Sequence, residues 1–154
     1  MEKERPIGMR FSLLHRWFRR QLDERLKEKE LTGVQFGVLG QIDRLKHSGC
    51  GEVYQRDLEI ATHVTHPTMT EIIKRLEKQG FVSCRPGNKD RRYKCVSITK
   101  KAEQLLEEMA EVDKQVFAKL CDGLTPEQIN ALFEITDIML RNAGCCEKGR
   151  ETDD

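Results

Sequence analysis

Apolar residues recur at three- and four-residue steps through most of this chain. Ile7, Phe11, Leu14, Phe18, Leu22 and Leu26 lie on one face of a long amphipathic helix, and Leu13 and Trp17 add a second apolar edge. A helix apolar over this width must be covered from more than one side. Leu31-Thr32-Gly33 breaks the pattern, and Thr32 is placed to cap a second helix with Phe36, Leu39, Ile42 and Leu45 inward. Ser48-Gly49-Cys50-Gly51 is a loop. Val53 and Tyr54 suit a short strand, and Gln55 to Thr62 a short helix. A fourth helix starts at Thr65 or His66, where Pro67 fits a first turn whose N–H groups have no intrahelical partner. Met69, Ile72, Ile73 and Leu76 form its inner stripe, and Gly80 ends it.

The pattern then changes period. Phe81 to Pro86 and Tyr93 to Ile98 read as strands, joined by Gly87-Asn88-Lys89-Asp90-Arg91-Arg92, a turn too polar to pack inside anything. Thr99 opens a long helix to about Leu120, with Leu105, Leu106, Met109, Val112, Val116 and Leu120 inward. Asp122-Gly123 is a turn. Thr125-Pro126-Glu127-Gln128 starts a last helix, with a capping Thr, Pro in the first position and Gln three residues on. Ile129, Leu132, Phe133, Met139 and Leu140 follow at helical spacing until Asn142-Ala143-Gly144. The tail from Cys145 is charged and expected to fray.

The predicted fold is mainly α with a small β-wing: a winged helix-turn-helix flanked by long helices. Its fourth helix shows Thr, His, Glu and Lys opposite the apolar stripe, and its hairpin tip carries arginine. A winged helix needs this combination to read base edges with one helix and to reach the neighbouring backbone or minor groove with the wing. The first and the last two helices carry more apolar surface than such a lobe can cover, so a two-fold dimer through them is expected. The organisation is one domain over 1–154, with a DNA-binding lobe at 33–99 and dimerisation helices at 7–30 and 100–143.

Charge sharpens this reading. The net charge of +1 over 154 residues hides a block at 66–101 with ten Lys/Arg against three Asp/Glu, while 102–154 carries five against thirteen. A basic block that coincides with the polar helix and the turn reads as a phosphate-facing surface. Charged residues make up 34% of the chain and aromatics 6%, and no apolar run nears the ~20 residues that cross a bilayer. Met1 to Pro6 has no apolar stretch of the export type, so a cytoplasmic protein with reduced thiols and no membrane partner is expected. The six cysteines contain no C-x-x-C pair, and the four histidines fix no ligand geometry, so no metal or other cofactor is expected. An enzyme is not expected either. The chain offers no Gly-rich phosphate loop, no Gly-x-Ser-x-Gly, no His-Glu-x-x-His and no close Cys–His pair.

LTGVQFGVLGQI, YQRDLEIATHVTHPTMTEIIKRLEKQGFV and above all DRRYKCVSITKKAEQLL resemble the MarR family of regulators, in the same element order over roughly residues 7–143. The wing is the most specific part: Asp90-Arg91-Arg92 followed by Val96-Ser97-Ile98-Thr99. The resemblance implies a homodimeric transcriptional regulator on a pseudo-palindrome of double-stranded DNA, a repressor released by a small ligand. A redox-sensing regulator of the same fold is the alternative, and a winged helix that binds only protein is the next. Redox members use a reactive cysteine near the first helix, and this first helix has none. Cys84 and Cys95 are near-symmetric about the wing tip and would have to face each other to form a switch. One departure is Tyr54 where the family has a capping Ser or Thr, which loosens the expected seats of Gln55 and Arg56 on phosphates.

The expected DNA-binding residues are His66, Thr68, Thr70, Glu71, Lys74 and Arg75 on the fourth helix, with Lys78 beside them, and Lys89, Asp90, Arg91 and Arg92 at the wing. Arg92 suits a narrow, negative minor groove, with Asp90 two residues earlier to fix its pose. Arg91 and Lys89 suit phosphates. Thr can touch a thymine methyl, Glu can accept from a cytosine amino group, and Lys can reach guanine. Set against this are an ordinary solvated helix face, a local Thr68–Glu71 cap and a solvent ion pair at the wing. The effector pocket is expected between the long helices and the DNA lobe, lined by His15, Phe18 and Phe36.

Overall fold

The computed structural model describes residues 5–49, 51–88 and 91–144. In chain order the elements are α1 (Ile7–Glu28), α2 (Gly33–His47), α3 (Gln55–Thr62), α4 (His66–Lys78), β1 (Val82–Pro86), β2 (Lys94–Ile98), α5 (Lys100–Leu120) and α6 (Pro126–Asn142). The six helices and the two wing strands lie where the sequence pattern predicts them, with bounds within a residue or two. The chain divides into two compact units, Met1–Val116 and Phe117–Asp154.

The first unit holds the core. Leu39, Leu58, Met69, Ile73, Leu76 and Ala102 are fully buried there, joined by Leu26, Ile42, Phe81, Val82, Val96, Leu105 and Met109. The expected stripe of α4 is buried in full; in α2 and α5 Leu39, Ile42, Leu105, Met109 and Val116 are buried, while Phe36, Leu45, Leu106, Val112 and Leu120 are only half-buried. β1 and β2 pair antiparallel, with Val82 opposite Ile98 and Cys84 opposite Val96. The expected strand at Val53–Tyr54 is reduced to a bridge between Tyr54 and Cys95, and the Val96 amide donates to the Val53 carbonyl at 2.8 Å.

Local chemistry sets the helix ends. At α2 the Thr32 hydroxyl accepts from the Gln35 amide at 3.2 Å while the Gln35 side chain accepts from the Thr32 amide at 2.9 Å. Thr125 and Gln128 repeat this box at α6. Gly80 stands at φ +77°, the left-handed region, so the chain leaves α4 there without a Cβ penalty. The Thr99 hydroxyl donates to the Gly80 carbonyl at 2.7 Å, which ties the end of α4 to the start of α5.

Two helices keep an apolar face uncovered. In α1 only Leu26 is buried, whereas Ile7 is 67% and Leu14 51% exposed. In the second unit α6 buries no side chain, and Phe133, Ile135, Ile138 and Met139 are exposed. Among the described residues no helix is long and apolar enough to cross a membrane.

Ile73 lies at the centre of the first unit, so Ile73→Ala should remove ~2–5 kcal/mol of stability, the range for truncating a buried aliphatic side chain. Urea unfolding of parent and variant at equal protein concentration measures it; a loss under ~1 kcal/mol contradicts the central position of Ile73.

Candidate nucleic-acid interface

α4 is rotated by its own stripe. With Met69, Ile72, Ile73 and Leu76 buried, His66, Thr68, Glu71, Lys74, Arg75 and Lys78 are left exposed. The Thr68–Glu71 cap does not form. The Glu71 carboxylate accepts from Lys74 Nζ at 3.2 Å, and the helix begins at Thr65, whose hydroxyl lies 3.0 Å from that of Thr68. Both members of the Glu71–Lys74 pair are more than 60% exposed, so water competes for them and they can exchange partners readily.

Thr70 has a different place. It is half-buried, its hydroxyl donates to the His66 carbonyl at 2.9 Å, and it accepts from Gln55 Nε2 at 2.8 Å. Gln55 is buried, and its amide also donates to Glu59 Oε1 at 2.9 Å. His66 Nδ1 lies 2.6 Å from that same carboxylate oxygen, with most of its ring in solvent. Gln55 thus joins α3 to α4 from inside; Arg56 beside it is exposed. Periodicity carried no sign of this role, because Gln55 meets its partners eleven and fifteen residues away.

Tyr54 does not disturb the start of α3. Its amide donates to the Asp57 carboxylate at 2.8 Å, one half of a capping box, and its hydroxyl turns away to donate to Glu52 at 2.7 Å. The bend between α3 and α4 falls on His63, at φ +54°, which is uncommon for a residue with a Cβ.

At the wing, Arg91 and Arg92 are exposed and border a small hollow of about 310 Å³ with Arg85, Tyr93 and Lys94. Lys89 and Asp90 lie outside the described residues. Arg85 is anchored: its guanidinium lies 2.7 Å from Glu52 and donates to Asn88 Oδ1 at 3.1 Å. The sequence-level expectations had passed over both Glu52 and Arg85.

A polar recognition face and a basic hairpin, carried on one core, define a winged helix-turn-helix. Residues 29–92 match the family model described as MarR family. The reduced form of MarR from E. coli superposes with a TM-score of 0.75 at 22% identity, over 90% of this chain and 99% of that one. YusO from Bacillus subtilis gives 0.72 at 21% identity, over 88% of this chain and 92% of that one. A MarR transcriptional regulator from Methanosarcina mazei Go1 gives 0.71 at 22%, over 89% and 95%. The chain matches the MarR family over that stretch and has a winged-helix fold like that of those structures. Its fold is that of the family's transcriptional regulators.

The MarR-family fold here has a groove of about 860 Å³ along α1 and the start of α2. His15 borders it, with Arg16, Arg19, Asp23, Leu31 and Val34; Phe18 and Phe36 are not among its lining residues, and Phe36 packs on the core instead. The groove is therefore more charged than the expected phenylalanine-lined pocket. The wing register also separates the two cysteines. Cys84 stands opposite Val96 and Cys95 opposite Arg85, so the two thiols point to opposite faces of the hairpin. They are free thiols, and the facing pair considered from sequence does not form.

Burial pushes the Cys84 thiol up to about 11, with Lys94 opposing and Glu77 reinforcing the shift. At neutral pH it is held as the unreactive thiol. Its alkylation by iodoacetamide in the folded protein, followed by peptide mass spectrometry, should be slow at pH 8 and accelerate only as pH climbs towards 11. Rapid labelling of Cys84 at pH 7 contradicts this.

Proposed function

We propose that this protein is a MarR-family transcriptional regulator that binds specific DNA sequences, a homodimer that represses from a pseudo-palindromic operator and releases it on binding a small ligand. The observation that carries the reading is the pairing of an exposed His66–Thr68–Glu71–Lys74 face with a wing bearing Arg91 and Arg92. Glu71 and Lys74 offer complementary chemistry to base edges, while Arg75 and Lys78 beside them suit phosphates. Thr70 then acts by holding α4 in place through Gln55 rather than by touching a base. Arg92 is assigned to the minor groove, with Asp90 as its sequence-local partner and Lys89 and Arg91 on phosphates.

The dimer reading rests on the uncovered apolar faces of α1 and α6. Isolated exposed apolar residues need no explanation, but rows of them along helices do. For the effector, the α1 groove with His15, Arg16 and Arg19 favours an anionic small molecule. The cysteine-redox reading loses its support with Cys84 held as a thiol and turned away from Cys95.

Two measurements test these proposals. If ~6–10 phosphates are neutralised per dimer, affinity in gel shifts on the chain's own upstream DNA should fall ~10³–10⁵-fold between 50 and 200 mM salt. A flat response removes the electrostatic half of the argument. Light scattering at micromolar concentration should return two chains; a mass of one chain, 17.9 kDa, overturns the dimer.

A further inference from the structure

Glu52 is an acidic side chain at the root of a basic wing, where its charge alone would repel DNA. Only 17% of it is exposed. Its Oε1 meets the Arg85 guanidinium at 2.7 Å, and its Oε2 accepts from the Tyr54 hydroxyl at 2.7 Å and from the Asn88 backbone amide at 3.0 Å. Arg85 donates in turn to the Asn88 side chain. Oε2 therefore carries two hydrogen bonds while Oε1 is held by the ion pair to Arg85 alone, and the contact to Asn88 spans 36 residues of sequence. The knot joins the turn before α3 to the stretch of wing that leads into the tip. Behind it, the Val53–Val96 hydrogen bond fixes the same turn to β2, and the Tyr54 and Tyr93 rings meet edge to face at 6.5 Å.

We infer that Glu52 is a specificity-determining positioning residue: it fixes the wing's placement relative to α3 and α4, so that wing and recognition helix engage one DNA register together. This rests on the DNA-binding reading above. It requires that a negative charge beside the interface improve recognition of the right DNA while weakening attraction to any DNA, because preorganisation gains more for the specific complex than the charge costs.

That opposition of signs makes the inference testable. In Glu52→Gln one carboxamide oxygen replaces two carboxylate oxygens, and its NH₂ faces the Arg85 donors, so the knot opens and Arg85 regains a free positive charge. The probes are the double-stranded DNA that the parent enriches from a random-sequence pool, and the unselected pool itself. Affinity of Glu52→Gln for unselected DNA should equal or exceed that of the parent. Its affinity for the enriched DNA should drop about ten-fold, the scale of one lost base contact. Arg85→Gln opens the knot from the other side with the opposite charge change. Its ratio of enriched to unselected affinity should fall as well, with no gain on unselected DNA. Both ratios unchanged, or Glu52→Gln tightening both DNAs alike, overturns the inference. A fall in thermal stability with both affinities reduced in proportion assigns Glu52 a merely structural role and overturns it too. If the parent enriches no sequence, the DNA-binding reading itself fails, and the inference with it.

Discussion

Everything this molecule presents depends on one buried stripe. Met69, Ile72, Ile73 and Leu76 fill the centre of the first unit, and because α4 turns through about 100° per residue, burying them dictates which residues face outward. α2, α3, β1, β2 and the first part of α5 all pack on that centre. The outward face needs few contacts of its own: the pairs His66–Glu59 and Glu71–Lys74 are small beside the buried stripe. Its residues are free to be chosen for chemistry, and it is rigid because the opposite side is close-packed.

The wing and the α3–α4 pair obtain their positions differently, through polar contacts. Gln55 holds Thr70 and Glu59 from a buried site, and Glu52 holds Arg85 and Asn88 from a nearly buried one. Buried or half-buried polar groups with several partners are directional, so they specify one arrangement where an apolar contact would tolerate several. The hydrogen bonds from Tyr54 and from the Asn88 amide keep the Glu52 carboxyl below the usual carboxylate range, with Arg85 reinforcing them against burial. A carboxylate lowered in this way keeps its contribution at neutral pH and loses it only as acid protonates it below the ordinary glutamate range. The knot at the wing root is therefore intact at any physiological pH.

The apolar faces left on α1 and α6 belong to another level of organisation. The first unit closes its core without Ile7, Phe11 or Leu14, and α6 buries none of its side chains. Neither helix buries its apolar stripe within its own unit, and that surplus is the ground of the dimer proposed above.

The sequence alone determined what depends on near neighbours along the chain. Helices follow from contacts three and four residues apart, caps from Thr32 with Gln35 and Thr125 with Gln128, and the hairpin from a polar turn between two strand patterns. The exposed face of α4 was legible for the same reason: once the stripe is known, geometry supplies the rest. Only the tertiary structure decided what depends on distant partners. It joined Gln55 to Thr70 across two helices, set Phe36 on the core, turned Cys84 and Cys95 to opposite sides, and joined Glu52 to a wing 36 residues away. A hydrophobic period records which side of an element is buried, but it holds no record of which polar atom across the core will meet it. That choice is made only when packed elements bring the two within hydrogen-bond reach.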